Sequence, residues 1–513
     1  MSARFVSVDR NTPMLLPPDL REWVPEDDLV HFVIEAVDRL PLEKFRVNHR
    51  GTGDKQFPPH MMLALLIYSY ANGIFSSRKI ERATYRDVAV RYLTAGTHPD
   101  HDTICKFRRE NLEAFSESFV DVLELARELK MLKLGNVSLD GTHIKANASI
   151  DQNVTYQRAV EIREQLRLDI DALLAQAEKA DAEEEDNQKL PEEIARREKL
   201  AVKMDRAIEE LEARARQRQQ KALGEYEQKK AERRRKEKQS GKKCGGKEPK
   251  RPRIKAEDSG EQCNLSDPDA RIMRKNKRSS FTQSYNAQAA VDADGSQLIV
   301  GAHVSQSASD GGELENGVAS IPSKVGKPEA VLADAGYVNA EAFERLEQEG
   351  VEIYCSVHRE DAHSERHYDF RPKKARGREE KKVTDKRLVA MGEKLRTEEG
   401  KALYGRRNHT VEPVFGIIKE AMGFRGFSLS GKEKVAGEWT LVCLAYNLRR
   451  LHRLVGDLKN GPEKPKSRSL GSGIELTERV TDAIRKIAWP VKQWLDRMAA
   501  APATMLALSP TGS

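Results

Sequence analysis

The sequence predicts an α/β protein whose strand-and-helix core is preceded by an all-helical segment and interrupted by a long helical insertion. Three observations lead there. Residues 15–125 carry only amphipathic helical patterns. Residues 136–148 and 281–357 carry short apolar runs, the later ones alternating with helical stretches, as in an α/β sheet. Between them, residues 155–270 change to charged helical repeats and then to a basic stretch with Gly and Pro.

The first segment opens at Asp27 and Asp28, acidic residues in the first turn of a helix running through Ile34. Pro58 and Pro59 precede a second helix with Met61, Met62, Leu65 and Leu66, and Gly73 ends it. Ser76 and Ser77 can cap a third, Arg78 to Ala83. After a turn at residues 98–101, Asp102 can cap a fourth, Thr103 to Glu110. Short helices joined by a Gly-containing turn, with Arg78, Lys79 and Arg82 outside, fit a helix-turn-helix-like DNA-binding fold. Lys106 and Arg109 extend its basic face. A plain helical bundle with a solvated basic face accounts for the same residues.

After a strand at 136–148 comes the insertion. Leu166, Ile170, Leu173 and Ala177 step by four, three and four, as do Met204, Ile208, Leu211 and Ala215. The polar segment Asp181–Pro191 makes a turn between them, giving a helical hairpin or coiled coil. It extends through Lys229–Lys236 into a Gly/Lys/Pro stretch ending at Lys255, which reads as disordered. Strand signals return at Phe281. Runs at 284–291 and 297–304 flank a turn at 292–296, so Asp292 and Asp294 read as turn residues. A helix over 311–321, a buried strand at 330–333, a helix at 340–349 and a strand at 351–357 follow. A further helix begins near Thr410, with Pro413 tolerated in its first turn. The next, 433–453, carries Trp439, Leu441, Leu444 and Leu448. Trp439 reads as a core residue or as a platform for a displaced base.

That order is the order of an RNase H-like sheet with an insertion after its first strand. Removing residues 155–270 shortens the gap from Asp140 to Asp334 from 194 residues to 78. The expected divisions are a helical DNA-binding domain (1–125), the first part of the catalytic core (130–154), the hairpin and basic insertion (155–270), the rest of the core (271–455) and a tail with one helix (456–513).

Apolar residues make up 38% of the chain and charged ones 33%, enough for real cores beside long solvated segments. The net charge of +7 is local. Residues 228–255 hold 14 Lys/Arg and 3 Asp/Glu, a net +11, which leaves −4 for the rest. Such an arm suits contact with nucleic-acid phosphates, and a solvated linker is the plain alternative. Cys105, Cys244, Cys263, Cys355 and Cys443 include no Cys-x2-Cys pair, which fits a reducing compartment and gives no structural zinc signature. His358, His363 and His367 cluster with acidic residues, but without the helix or Cys pairing that would support a zinc site. No signal peptide is read, and the apolar run Met61–Tyr68 is far shorter than the ~20 residues of a membrane helix. A bacterial cytoplasmic, nucleoid-associated protein without membrane contact is expected.

The chemistry lies in three carboxylates. Asp140 and Asp334 sit at two expected strand ends, in VSLDGTHI (137–144) and AVLADAGY (330–337). Glu412 lies in YGRRNHTVEPVFGIIK (404–419), seven residues before Lys419, so a regular helix carries both on one face. Three carboxylates converging on two divalent ions suffice for phosphodiester hydrolysis or transfer. Lys419 and Arg407 would neutralise phosphate charge, and the Tyr404 hydroxyl could orient a phosphate. Each has a plainer reading: Asp140-Gly141 as a hairpin turn, Asp334 as a helix cap, and Glu412 and Lys419 as solvated helix charges.

The 404–419 run resembles the third motif of bacterial insertion-sequence DDE transposases, which reads Tyr, two residues, Arg, three residues, Glu, six residues, Lys. Tyr404 to Arg407 and Glu412 to Lys419 keep that spacing. Four residues separate Arg407 from Glu412, and Arg406 is the alternative for the Arg role. The Glu-Pro-Val-Phe-Gly sequence is similar to the group numbered eleven eighty-two. Asp334-Ala-Gly-Tyr resembles the second motif and Asp140-Gly-Thr the first, so the resemblance covers residues 10–455. It implies metal-binding catalytic roles for Asp140, Asp334 and Glu412, Mg²⁺ or Mn²⁺ as two ions per site, double-stranded DNA as partner at element ends and target, and a homodimer on DNA. The rival functions are an RNase H-like structure-selective nuclease and an inactive DNA-binding remnant or repressor.

Overall fold

The computed structural model describes residues 19–47, 56–182, 189–240, 245, 248–274, 278–357 and 385–460. Helix α1 (Leu29–Asp38) starts from Asp28, whose carboxylate accepts the Val30 N–H at 2.8 Å. α2 (Pro59–Ala71) is buried all round from Met62 to Ala71, so it lacks an amphipathic stripe. α3 (Ser77–Arg86), α4 (Val88–Leu93), α5 (His101–Glu110) and α6 (Leu112–Glu128) follow. The cap of α5 is Asp100, two residues earlier than the sequence indicates, and it accepts the Thr103 N–H at 2.6 Å. Asp102 lies inside the first turn, where its charge still suits the helix dipole.

Then come β1 (Asn136–Lys145), β2 (Asn153–Thr155), α7 (Tyr156–Ala182), α8 (Lys189–Ser240), β3 (Gln262–Asn264), β4 (Arg271–Met273), β5 (Thr282–Asp292) and β6 (Ile299–Ser305). The chain continues through α9 (Leu314–Ala319), β7 (Ala330–Ala333), α10 (Ala340–Gln348), β8 (Glu352–Cys355), α11 (Lys386–Arg396), α12 (Glu398–Gly405), α13 (Val411–Gly416) and α14 (Lys432–Asn460). One mixed sheet runs β4-β5-β1-β7-β8, with β6 also paired to β5. β1, β7 and β8 are parallel, whereas β5 is antiparallel to β1, β4 and β6. Asp292 closes the β5–β6 turn by accepting the Ser296 N–H and hydroxyl, the turn role expected for it.

The N-terminal helices share a core with the sheet. α14 packs on α2, α6 and β6, and one apolar cluster runs from Val24 to Val455. Trp439 is fully buried and its Nε1 donates to the Gln288 carbonyl at 2.9 Å, so it is a core residue. At the seam, buried Glu438 accepts the Tyr70 hydroxyl at 3.1 Å and the N–H groups of Ser428 and Leu429 at 2.8 and 3.0 Å. Buried Arg108 donates to the same Tyr70 hydroxyl and to the Phe75 carbonyl, both at 2.9 Å. Gly73, at φ +79°, leaves only 2.8 Å between the place of a Cβ and the Met422 carbonyl oxygen.

The insertion is a hairpin with its own core. Leu166, Met204, Ile208 and Leu211 are buried with Val154, Ala159 and Cys263, so much of the apolar seam is filled within the chain. Leu168, Leu174 and Val202 stay exposed on it. β2 and β3 pair antiparallel at its foot. α8 remains helical through the basic residues to Ser240. The returning segment near Lys255 is held, since Gln219 donates to the Pro252 carbonyl and accepts from the Ile254 N–H. Residues 183–188 of the expected turn, His358, His363 and His367, and residues 461–513, where the tail helix is expected, lie outside the described residues.

Candidate active site

The site begins where β1 outruns its parallel neighbour. Ser138 pairs with Leu332, and β7 stops at Ala333 while β1 continues against β5 as far as Lys145. Continued by two residues, that register sets Asp140 beside Asp334 at the carboxyl end of the parallel pair, where α/β sheets receive ligands. Asp140 is therefore a strand residue, opposite Ala289, and not part of a hairpin turn.

Burial pushes the Asp140 carboxyl up to about 7. The Gly141 N–H, which donates to its Oδ1 at 2.8 Å, pulls the other way, Asp334 raises it further, and Arg407 opposes. Asp334 also caps the short turn Ala335–Tyr337, its Oδ1 accepting the Gly336 N–H at 2.8 Å.

Arg407 is buried beside Asp140, with its guanidinium 5.7 Å from the centre of the Tyr404 ring. Arg406 turns away and pairs with Asp294 at 2.9 Å. Tyr404 itself packs against Ala330, Leu332 and Tyr354, on the face of β7 that alternation also assigns to Asp334. Lys419 donates to the Thr142 hydroxyl and, at 3.3 Å, to the His143 carbonyl. Thr142 is two residues beyond Asp140 on the same strand face, so Lys419 comes down on that face.

Glu412 occupies the first turn of α13, which packs on β1, but its side chain is exposed. Residues 417–421 form a π turn rather than a continuation of the α-helix. Its wider turn rotates Lys419 out of the column of Glu412, so the shared face expected from regular spacing is not kept. Among the described residues no three His, Cys, Asp or Glu side chains close into a group able to hold a metal ion. The structure thus brings Asp140 and Asp334 together and leaves Glu412 outside the pair.

The donors that the aspartate pair offers are carboxylate oxygens, which suit a hard cation such as Mg²⁺ or Mn²⁺. A half-buried Asp140 beside a second carboxylate is also a cost that a cation removes.

The other DNA-binding candidates lie on the N-terminal helices. Arg78, Lys79 and Arg82 are exposed on α3, and Lys106 and Arg109 on α5, which packs on α3. Sequence reasoning missed Asp310, Asn286, Gln288 and Tyr337, which gather behind the aspartate pair. A polar loop with an Asp just past a strand, Ser305 to Gly312, was the available signal.

Two family models match the chain. A transposase domain (DUF772) covers residues 18–110 and a transposase DDE domain covers residues 362–452. No curated protein and no solved structure matches it.

Proposed function

We propose that this metal-dependent DDE-type transposase binds the ends of an insertion sequence, cleaves them, and joins them to target DNA. The observation that carries the reading is the pair Asp140 and Asp334 at the carboxyl end of the parallel strands of the mixed sheet, with Arg407 and Lys419 beside it. In this reading Asp140, Asp334 and Glu412 hold two Mg²⁺ or Mn²⁺ ions, with Glu412 approaching from α13 once ions and DNA are present. Bound ions would activate the attacking hydroxyl and stabilise the leaving oxygen of an in-line displacement. Arg407 and Lys419 counter the phosphate charge, and Tyr404 supports Arg407 through its ring face. The spacing of Tyr404, Arg407, Glu412 and Lys419 supports membership of the group numbered eleven eighty-two.

Strand transfer with the native element ends tests the whole reading. Joined products are expected with Mg²⁺; cutting without joining would return a structure-selective nuclease, and binding alone a repressor.

The helical domain of residues 1–125 is the reader of end sequence in this proposal, through Arg78, Lys79, Arg82, Lys106 and Arg109. The basic segment 228–255 touches phosphates. Deleting residues 228–255 is expected to weaken binding to every sequence and to flatten the dependence of log K on log salt, by ~0.9 for each phosphate no longer neutralised. Changing Arg82 or Arg109 to Ala is expected to relax sequence preference instead. A salt slope unchanged by the deletion reduces that segment to a spacer.

Pairing two ends calls for two sites, so we read the active form as a homodimer on DNA. The exposed Leu168, Leu174 and Val202 of the hairpin support a role for it in assembly.

A further inference from the structure

Behind the aspartate pair lies a buried polar cluster to which the reaction as described assigns no task. Side chains alternate along a strand, so Gly141 and His143 share one face of β1 with Gln288 and Asn286 opposite them on β5, away from Asp140. Asp310, in the loop between β6 and α9, reaches this face. Its Oδ1 accepts the Gln288 amide at 2.6 Å and the Asn286 amide at 2.8 Å. The Gln288 oxygen in turn accepts the Tyr337 hydroxyl. Gln288, Asn286 and Tyr337 are all buried.

Each end of this hydrogen-bonded series reaches the backbone next to a site aspartate. At one end the cluster fills the space where residue 141 would carry a Cβ: Gln288 Nε2 lies nearest, with Asp310 Oδ1 2.6 Å and Asn286 Oδ1 2.8 Å from that point. Any larger residue there, immediately after Asp140, would have to displace these three side-chain ends. At the other end Tyr337 closes the short turn that Asp334 caps. Asp310 Oδ2 is 3.6 Å and Asp334 Oδ1 2.8 Å from the place of a Cβ on Gly336. The Asn286 Oδ1 is buried without a hydrogen-bond partner, a cost tolerated beside Gly141.

We propose that Asp310 is a positioning residue of the reaction: through Gln288 and Tyr337 it clamps the Asp334 turn to β5, the strand paired with β1, and so fixes the separation of Asp140 and Asp334. The inference rests on the aspartate pair being the metal site. It assigns no direct metal contact to Asp310. Its carboxylate is the acceptor that holds two buried amides at once, and without it the Gln288 amide loses that acceptor and the link to Tyr337 slackens. Supports behind metal ligands of this kind typically change metal affinity by about 10- to 100-fold when removed.

The test is Mn²⁺ binding, read by electron paramagnetic resonance on the full chain with an uncleaved duplex of the element end, beside melting temperature and duplex affinity. Asp310→Ala and Tyr337→Phe are expected to weaken Mn²⁺ binding about tenfold with duplex affinity unchanged. Asp310→Asn, which keeps an oxygen acceptor for the amides, is expected to recover most of that loss. The Mg²⁺ needed for half-maximal cleavage should rise in the same order. Wild-type Mn²⁺ affinity in both Tyr337→Phe and Asp310→Ala overturns the clamp. Should Asp310→Ala not fold, Tyr337→Phe alone decides, because it removes one hydroxyl and keeps the ring. Asp334→Ala separates the two levels of the reading. If it loses Mn²⁺ while the clamp variants keep it, only the clamp fails; if it binds Mn²⁺ as wild type, the metal site and the clamp fail together.

Discussion

Replacing Asp334 by Asn is expected to abolish cleavage of element ends while leaving duplex binding intact. Asn is as good a cap as Asp, so the turn Ala335–Tyr337 keeps its Gly336 hydrogen bond. What disappears is the negative charge beside Asp140. A bound ion supplies several kcal/mol of transition-state stabilisation, and at 1.36 kcal/mol per decade its loss lowers the rate by roughly a thousandfold or more. Glu412→Gln should match it if that helix residue joins the site in the loaded complex. Cleavage and filter binding on one preparation make the measurement. Wild-type cutting by Asp334→Asn with Mg²⁺ would remove Asp334 from the site.

The second large effect is on stability. Glu438→Ala is expected to cost about 3–5 kcal/mol, the usual penalty for removing one partner of a buried charged network. Glu438 is fully buried, and its loss leaves the Ser428 and Leu429 N–H groups without that acceptor. It also removes the anion that balances Arg108 through the Tyr70 hydroxyl. Because these residues come from α2, α5, the segment before α14 and α14 itself, the N-terminal helices should loosen from the sheet with the same change. Thermal unfolding followed by circular dichroism, with limited proteolysis near residue 128, checks both points. A melting temperature within a degree or two of wild type would mean the network is already compensated by water.

Much of the architecture was legible because it is local. The hairpin at α7 and α8, the β5–β6 turn at Asp292 and the strand before Asp334 follow from apolar period and turn chemistry within a dozen residues. The short β2, β3 and β4 were not legible, since strands of three residues hold too few side chains to show a period. α11 and α12 were missed in a charged stretch without a clear stripe. The common core of the N-terminal helices and the sheet depends on Tyr70 meeting Glu438 across 368 residues, which no local pattern encodes. In the site, the spacing of Glu412 and Lys419 suggested one face, but the π turn at 417–421 breaks the 3.6-residue period on which that inference relies. Asp310 escaped notice because its partners lie on another strand and beyond a turn. Its loop sequence alone marks only a polar connection.

The paired strands β2 and β3 at the foot of the insertion carry a consequence for how the chain folds. β1 must find β5, with Asp140 opposite Ala289, and the intervening polypeptide would impose a steep search if it were slack. The α7–α8 hairpin is made of near-neighbour contacts and has its own core, so it can form as soon as it leaves the ribosome. Once Asn153 sits against Asn264, the two ends of the excursion are held together and the remaining closure is only that of a short connection. A segment that looks like an interruption of the catalytic sheet is then the fast, local step that lets the slow sheet zip, an order that pulse-labelled hydrogen exchange during refolding would read as early protection in α7 and α8 and late protection in β1 and β5.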